Sequence, residues 1–223
     1  MRCTASYQRR LWKPSIWNNP DIIGKLSKLD YLDLSSNALY GELPKEIGNL
    51  HELVSLELQM NNLSGEIPFD FLASPNLEYV DLSSNRLGGA IPTNLSIGLF
   101  ILQLSGNLLS GIIPTSIGKL SKLDYLDLSS NALYGELPKE IGNLHELVSL
   151  ELQMNNLSGE IPFDFLASPN LEFVDLSHNR LGGAIPTNLS IGLQFLQLSG
   201  NLLSGINPGI NRNALAAGIS RLG

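Results

Sequence analysis

Cysteine is almost absent from this chain of 223 residues, which has only Cys3. A single cysteine excludes an internal disulfide framework and a multi-cysteine zinc site. Long apolar runs are also missing, because no stretch approaches the roughly 18 uncharged apolar residues that a membrane-spanning helix needs. Basic residues are few, and the net charge of −7 argues against general nucleic-acid binding, which requires a basic surface.

Motifs for catalysis and metal binding are missing as well. The sequence has neither a G-x-S-x-G motif nor a phosphate-binding loop. Its three histidines show no spacing that is typical of a metal site. We therefore expect no enzymatic activity, no cofactor and no bound metal. The apolar content of 43% is high enough for a folded core and argues against a disordered chain.

An internal duplication makes up most of the chain. Residues 23–114 reappear as residues 117–208, displaced by 94 positions. Only five aligned pairs differ, and they are Tyr79/Phe173, Ser84/His178, Phe100/Gln194, Ile101/Phe195 and Ile113/Asn207. So few differences indicate a recent duplication of a block that itself contains several repeats.

A shorter period runs through both blocks. Eight units follow the pattern L-x-x-L-x-L-x-x-N-x-L-x-G-x-[IL]-P, with starts at Leu29, Leu53, Leu77, Leu99, Leu123, Leu147, Leu171 and Leu193. In the first unit, Leu32 and Leu34 alternate with polar residues, which is the period of a strand with one buried face. One unit cannot bury its own leucines, so neighbouring units must stack.

The predicted fold is therefore a repeat solenoid with one parallel sheet of about eight short strands. The inner positions are expected to be buried, namely Leu32, Leu56, Val80, Leu102 and their copies in the second block. The alternating positions Asp33, Glu57 and Asp81 are expected to stay exposed. A register slip of one residue would exchange these two faces.

The end of each unit resembles the tail of the plant-type leucine-rich repeat, L-x-G-x-I-P followed by I-G-x-L. It reads GELPKEIGNL at residues 41–50 and GIIPTSIGKL at residues 111–120. Residues 26–50 look most like the ectodomains of plant receptor-like kinases and receptor-like proteins, and are also similar to polygalacturonase-inhibiting proteins. The resemblance implies an α/β-type superhelix of about eight units of 22–24 residues with a concave parallel sheet, here without a kinase domain.

We divide the chain into a basic tail at residues 1–20, the leucine-rich repeat domain at residues 21–208, and a C-terminal tail or short capping helix at residues 209–223. The repeat domain carries all 21 Asp and Glu. The resemblance implies an extracellular or cell-surface protein. Residues 1–20 lack the apolar segment of a signal peptide, so a cytoplasmic location stays open.

One asparagine lies at the same position of every unit, where the chain leaves the strand. An asparagine amide can pair with backbone groups that a turn would otherwise bury without a partner. By resemblance these residues form the structural asparagine ladder of the family, and they are Asn37, Asn61, Asn85, Asn107, Asn131, Asn155, Asn179 and Asn201.

The outward face of the predicted sheet is the candidate binding surface. Its central column reads Asp33, Glu57, Asp81, Gln103, Asp127, Glu151, Asp175 and Gln197. Adjacent strands lie ~4.8 Å apart, so the carboxylates form an acidic stripe that favours a basic protein or peptide. The alternative is that aspartate at this position is common family usage and serves solubility.

The neighbouring column adds aromatic side chains, which are frequent anchors of protein interfaces. His178, whose counterpart in the first block is Ser84, lies near the exposed end of a strand. We predict that the ligand-binding residues on the concave face are Tyr31, Asp33, Glu57, Tyr79, Asp81, Ile101, Tyr125, Asp127, Glu151, Phe173, Asp175, His178 and Phe195. N-glycosylation sequons occur at Asn62, Asn94, Asn156 and Asn188.

The leading functional hypothesis is a non-catalytic recognition module that resembles a receptor ectodomain and binds a protein or peptide in signalling or defence. A co-receptor or a parent receptor is a further expected partner. A second hypothesis is an inhibitor of a secreted cell-wall-degrading enzyme. Ice binding, which needs a flat and regular Thr or Ser array, and a non-functional receptor gene fragment are the remaining alternatives.

Overall fold

The computed structural model describes residues 23–204, so the two predicted tails, residues 1–20 and 209–223, lie outside the described part. The described residues form fifteen short strands. In chain order they are β1 (Tyr31–Asp33), β2 (Tyr40–Glu42), β3 (Ser55–Glu57), β4 (Asn62–Glu66), β5 (Tyr79–Asp81), β6 (Arg86–Gly88), β7 (Ile101–Gln103), β8 (Ser110–Gly111), β9 (Tyr125–Asp127), β10 (Ala132–Glu136), β11 (Ser149–Glu151), β12 (Asn156–Glu160), β13 (Phe173–Asp175), β14 (Arg180–Gly182) and β15 (Phe195–Gln197).

The main sheet takes one strand from each unit. Its order is β1-β3-β5-β7-β9-β11-β13-β15, and neighbouring strands run parallel. Each strand therefore pairs with the equivalent strand of the next unit, as Leu56 pairs with Val80. The predicted solenoid with about eight parallel strands is confirmed.

Leucine side chains fill the inner side of the main sheet. Leu56, Val80 and Leu102 are completely buried, and Leu32 in the first described unit is 5% exposed. Together with the other buried apolar residues they form one continuous cluster. Full burial of such a side chain contributes about 1.5–3 kcal/mol of transfer free energy. The predicted burial is confirmed at these four positions and at the copies Leu126, Leu150 and Val174. It is wrong for the copy Leu196, which lies in the last described strand and is only partly buried.

Two smaller sheets, which the repeat pattern does not predict, lie on another side of the units. Their strand orders are β2-β4-β6 and β8-β10-β12-β14. Pairing in these sheets joins residues 22 positions apart, such as Tyr40 with Asn62. The main sheet joins residues 24 positions apart between the same two units, as Tyr31 pairs with Ser55. Where strands of the second layer pair, their register is therefore shifted by two residues relative to the main sheet.

Short 3₁₀ helices occur after the prolines of four units. They span Lys45–Asn49, Thr115–Lys119, Lys139–Asn143 and Phe165–Ala167. The proline positions alone do not predict these helices. In the first of them Ile47 is buried. A Cβ atom on Gly48 would lie 2.9 Å from the carbonyl oxygen of Asp70 in the next unit, so glycine permits the close stacking there.

Asparagine amides connect consecutive units. Asn61 Oδ1 accepts the backbone N–H of Leu39 at 2.9 Å, and Asn61 Nδ2 donates to the carbonyl of Leu34 at 2.9 Å, both in the preceding unit. The same two contacts recur at Asn85, Asn107, Asn131, Asn155, Asn179 and Asn201. These bonds pair backbone groups that would otherwise be buried without a partner.

The residue before each of these asparagines has left-handed backbone geometry. Glycine, which adopts this geometry without steric cost, occupies the position in two units, as Gly106 and Gly200. The other six units have φ between 52° and 59° at Ser36, Met60, Ser84, Ser130, Met154 and His178. His178 is therefore held in an unusual backbone conformation at the turn after β13.

Candidate functional site

The strand face, defined here as the side of the main sheet opposite the leucine core, carries three columns of side chains. The flanking column consists of Tyr31, Ser55, Tyr79, Ile101, Tyr125, Ser149, Phe173 and Phe195. The central column is the acidic one, and the third column consists of Ser35, Gln59, Ser83, Ser105, Ser129, Gln153, Ser177 and Ser199. None of the three columns contains Lys or Arg. The strand face is therefore a surface with charge of one sign.

The carboxylates in the middle of this face are less accessible than predicted. Asp81 is 6% exposed and Asp127 is 7% exposed, so the expectation that Asp81 stays exposed is wrong. Glu57, also expected to be exposed, is half-buried. The register itself is right, since Val80 and Leu82 on either side of Asp81 are completely buried on the core side. Asp81 lies in β5, which has a neighbouring strand on both sides. Asp33 lies in the first described strand, with a neighbouring strand on one side only, and is exposed.

Each aspartate of the central column also bonds to its own turn. Asp33, Asp81, Asp127 and Asp175 accept the backbone N–H of the serine two residues ahead, each at 2.9 Å. This bond holds the carboxylate along the strand and uses one lone pair of one oxygen. The aspartates therefore have a structural role, and the remaining lone pairs can still accept donors from a partner.

The two glutamates of the central column form equivalent clusters in the two blocks. Tyr31 Oη donates to Glu57 Oε1 at 2.7 Å, and Tyr125 Oη donates to Glu151 Oε1 at 2.6 Å. Gln59 Nε2 and Gln153 Nε2 donate to the other oxygen of the respective glutamate at 3.3 Å and 3.1 Å. Each cluster thus joins one member of all three columns.

Hydrogen bonding and burial change the acidity of these groups. The bond to Glu57, followed by burial, raises the pKa of Tyr31 to about 12. Burial first, and then the bond to Glu151, raises the pKa of Tyr125 well above its usual range. Burial also raises the pKa of Asp81, and the nearby charges of Glu57 and Asp127 act in the same direction. Tyrosine is already protonated at neutral pH, and the raised pKa keeps both hydroxyls as hydrogen-bond donors at more alkaline pH as well.

The second block adds an aromatic stack to the strand face. The rings of Phe173 and Phe195 are parallel, with centroids 4.3 Å apart and an interplanar angle of 3°. The first block has Tyr79 and Ile101 at these positions, so this stack is specific to the second block. The structure brings together two of the predicted aromatic residues in this way, and Phe195 remains 36% exposed.

His178 lies beside a glycine at the end of the same block. It is exposed, and a Cβ atom built on Gly200 would lie 2.8 Å from His178 Nδ1. Gly200 therefore leaves the space that the imidazole occupies. His178 is a candidate from sequence because it differs from Ser84, and the structure places it at the turn after β13.

Methionines and glutamines of this region were not predicted from the sequence. Met60 and Met154 are 61% and 59% exposed and accept weak contacts from Ser36 Oγ and Ser130 Oγ, each at 3.6 Å. Within residues 23–204, the side-chain oxygens Gln153 Oε1 and Gln59 Oε1 are both buried, and neither accepts a hydrogen bond. The sequence L-Q-M-N, which stands in place of L-S-S-N once in each block, could have identified these residues as different from the other units.

The four asparagines of the sequons are all exposed. Asn62 and Asn156 begin strands β4 and β12, beside Tyr40 and Tyr134. Asn94 donates its side-chain amide to Asp70 Oδ1 at 2.8 Å. Within the part of the chain that the structure describes, no helix is long and apolar enough to cross a bilayer, and no group of side chains could hold a metal ion.

Comparisons with known proteins agree with this architecture. Sequence profiles described as leucine rich repeat match residues 75–133, 28–50 and 170–190. No curated protein sequence matches the chain significantly. Among solved structures, the plant peptide hormone receptor RGFR1 in complex with RGF2 is 38% identical with a TM-score of 0.81, over 84% of this chain and 31% of that chain.

Two other solved structures are similar. The Arabidopsis receptor kinase HAESA, in complex with the peptide hormone IDA and the co-receptor SERK1, is 37% identical with a TM-score of 0.79, over 81% of this chain and 31% of that chain. A plant ice-binding protein is 31% identical with a TM-score of 0.64, over 83% of this chain and 68% of that chain. This chain thus spans about a third of the length of the two receptors. The repeats, the strand topology and these similarities show that the chain belongs to the leucine-rich repeat family and has the fold of plant receptor-kinase ectodomains.

Proposed function

We propose that the chain is a non-catalytic recognition module that binds a peptide or protein segment on the strand face. The observation that carries the proposal is the combination, on this face, of a central column with six carboxylates and two glutamines and a flanking column with five Tyr and Phe side chains, without any Lys or Arg. The similar receptors RGFR1 and HAESA are in complex with the peptide hormones RGF2 and IDA. Peptide binding by these two receptors, which have the same fold, supports the proposal.

A basic segment fits this face better than a neutral or acidic one. The second block offers Asp127, Glu151 and Asp175 in adjacent strands of the sheet. Lys or Arg side chains of the partner would find carboxylate acceptors there, and the stack of Phe173 and Phe195 would supply apolar contact area. Complementary charge increases the association rate and fixes orientation more than it increases affinity.

Paired double substitutions test the proposal. The probe is a set of fluorescent synthetic peptides with Arg at varied positions, together with the same peptides carrying Gln in place of Arg. We expect Asp127→Asn with Glu151→Gln to lower the association rate of the Arg peptides by about tenfold or more. The rate for the intact protein should also fall as salt rises, because exposed charges are screened within ~8–10 Å.

The matched control removes the same charge from the second layer. Glu136→Gln with Glu160→Gln changes two exposed residues of β10 and β12, and we expect it to leave binding unchanged. If both double variants bind the Arg peptides alike, recognition on the strand face is wrong and the acidic column is a solvated surface.

We also propose an extracellular or cell-surface location, since GASSHO1/SCHENGEN3, another similar structure, is described as the ectodomain of a plant membrane receptor kinase. The exposed sequon asparagines provide the test. A glycosidase that increases the electrophoretic mobility of the protein from its native tissue would support this location. Mobility that the glycosidase leaves unchanged, together with recovery in the soluble cell fraction, would contradict it.

Ice binding is the second candidate, and the similarity to a plant ice-binding protein favours it. An ice-binding face requires a flat and regular array of small polar side chains, whereas the strand face mixes carboxylates, glutamines and aromatic rings. The third column is the most similar to such an array, with serine in six of its eight positions. Thermal hysteresis of a concentrated solution would identify this activity, and peptide binding without hysteresis would exclude it.

A further inference from the structure

The duplication makes the two ends of the described solenoid copies of surfaces that already pack against each other. The unit that contains β15 copies the unit of β7, and the unit that contains β1 copies the unit of β9. Strands β7 and β9 are neighbours, with Leu102 beside Leu126 and Gln103 beside Asp127. The last and first described units therefore have complementary shapes.

Leucines at the two ends of the described solenoid are less buried than their copies in the interior. Leu99, Leu102 and Leu104 are completely buried where β9 lies beside them, but their copies Leu193, Leu196 and Leu198 are only partly buried. At the other end, Leu123 and Leu133 are completely buried, while their copies Leu29 and Leu39 are partly buried. Each end thus has apolar surface that an additional unit would cover.

Hydrogen-bonding groups at the ends are complementary in the same way. Between the blocks, Leu104 N–H donates to Asp127 O at 2.8 Å, and Asn131 joins the two units through Leu104 O and Leu109 N–H. The equivalent groups at the ends are Leu198 N–H and Leu203 N–H in the last unit. Asp33 O and the amide of Asn37 are their counterparts in the first. Within residues 23–204 no strand lies beyond β1 or β15 in the main sheet, and strand edges of this kind are templates for pairing with another chain.

We propose that the chain binds a second copy of itself head to tail, so that β15 of one copy pairs with β1 of the next in the register of β7 and β9. Phe195 would then lie beside Tyr31 of the next copy, and Leu196 beside its Leu32. The differences between the blocks suit this junction. The carbonyl of Phe100 accepts the N–H groups of Asp124 and Tyr125, and the carbonyl of Gln194 would accept those of Asp30 and Tyr31 of the next copy. Phe195, which stacks on Phe173, would then face the ring of Tyr31. Because the contact joins two different surfaces, it repeats from copy to copy and builds an open chain.

Sedimentation velocity of the full chain over a wide concentration range tests this association. We expect the sedimentation coefficient to rise with concentration. Tyr31→Arg with Phe195→Arg places like charges opposite each other at the junction, and we expect it to abolish the rise. The matched control, Phe69→Arg with Phe163→Arg, changes two aromatic side chains that are 60% and 59% exposed, and it should associate as the wild type does.

Cysteine cross-linking tests the register independently. In a Cys3→Ser background, oxidation of Tyr31→Cys with Phe195→Cys should give a ladder of covalent multimers on a denaturing gel, and each single variant should stop at the dimer. An intramolecular bond is excluded, since β1 and β15 are seven strand spacings apart, about 34 Å. A wild-type chain that stays monomeric at all concentrations would overturn the proposal. So would a double-cysteine variant that gives no species larger than its single variants.

Discussion

Asp81 is an ionisable side chain placed where a charge is costly. It is 6% exposed, and its flanking residues in the central column are Glu57 and Gln103, so no cation compensates it on the strand face. Burial raises its pKa above the ordinary value of 3.8. The folded protein therefore binds the proton of this carboxyl more tightly than the unfolded chain does, and ionisation of Asp81 disfavours folding.

We predict that Asp81→Asn raises the free energy of unfolding at neutral pH, because the amide keeps the bond from Ser83 N–H without the buried charge. Stability that depends on Asp81 falls as pH rises through the interval between 3.8 and its raised folded pKa. The gain from the substitution should therefore shrink at acid pH, where wild-type Asp81 is neutral. Urea unfolding over a range of pH measures it.

The control for this prediction is Asp33→Asn. Asp33 has the same position in its unit and the same bond to the turn, but it is exposed. We expect a much smaller gain there. A gain at Asp81 that is independent of pH, or that equals the gain at Asp33, would contradict the explanation by burial.

Left-handed backbone at non-glycine residues is a second source of instability at the residue scale. Such a conformation costs a non-glycine residue about 1–2 kcal/mol. Glycine avoids this cost, but its greater freedom in the unfolded chain offsets about 0.5–1 kcal/mol of the gain. Met154 has φ of 59° and is 59% exposed, so little contact area depends on its side chain.

We predict that Met154→Gly stabilises the protein by about 0.5–1 kcal/mol. The comparison is Met154→Ala, which removes the same side chain but keeps the steric cost of the positive φ. Thermal unfolding of both variants measures the difference. If glycine is no more stabilising than alanine, backbone strain at this turn is negligible.

The elements of the fold differ in how far the sequence could predict them. The main strands could be predicted because Leu32 and Leu34 alternate with polar residues and the pattern repeats eight times. The second layer could not, since its register of 22 residues in units of 24 depends on how whole units stack. The burial of Asp81 could not be predicted either, because residues of neighbouring strands produce it.

The candidate site could also be predicted from the sequence only in part. Its columns are determined by the strand period, so the sequence identifies which residues share the strand face. The bond from Tyr31 to Glu57 and the stack of Phe173 on Phe195 depend on side-chain directions across strands. The 3₁₀ helix that buries Ile47 was missed because proline indicates a turn without defining the backbone conformation of the residues after it.

The asparagine ladder carries a prediction at the scale of the element. Asn155→Ala removes the acceptor for Leu133 N–H and a donor to the carbonyls of Leu128 and Leu152. Each buried group left without a partner costs about 1–3 kcal/mol, so we expect a loss of at least about 2 kcal/mol. The shift of the urea midpoint measures it.

Asn37→Ala is the matched control, because the amide of Asn37 donates within the described residues only to Leu34 and Ser35 of its own unit. We expect a clearly smaller shift for this variant. Equal shifts would mean that the contacts between units contribute little and that the ladder acts only within each turn.

At the scale of the whole molecule, stability is shared along the stack, because each unit is buried by its neighbours. The cost of a core substitution should then depend on position even where the local sequence is the same. The duplication provides this comparison within one chain. Leu102 has a strand on both sides, β5 and β9, whereas its copy Leu196 has β13 on one side.

We predict that Leu102→Ala destabilises the protein by about 2–5 kcal/mol, as is usual for a cavity in a packed core. Leu196→Ala should cost less than half of this, because Leu196 is only partly buried and water already reaches its surroundings. The measurement is urea unfolding at low protein concentration, which keeps any association through the end units small. Equal shifts of the urea midpoint would contradict the prediction, because they would show that the cost of the substitution does not depend on how many neighbouring units bury the leucine.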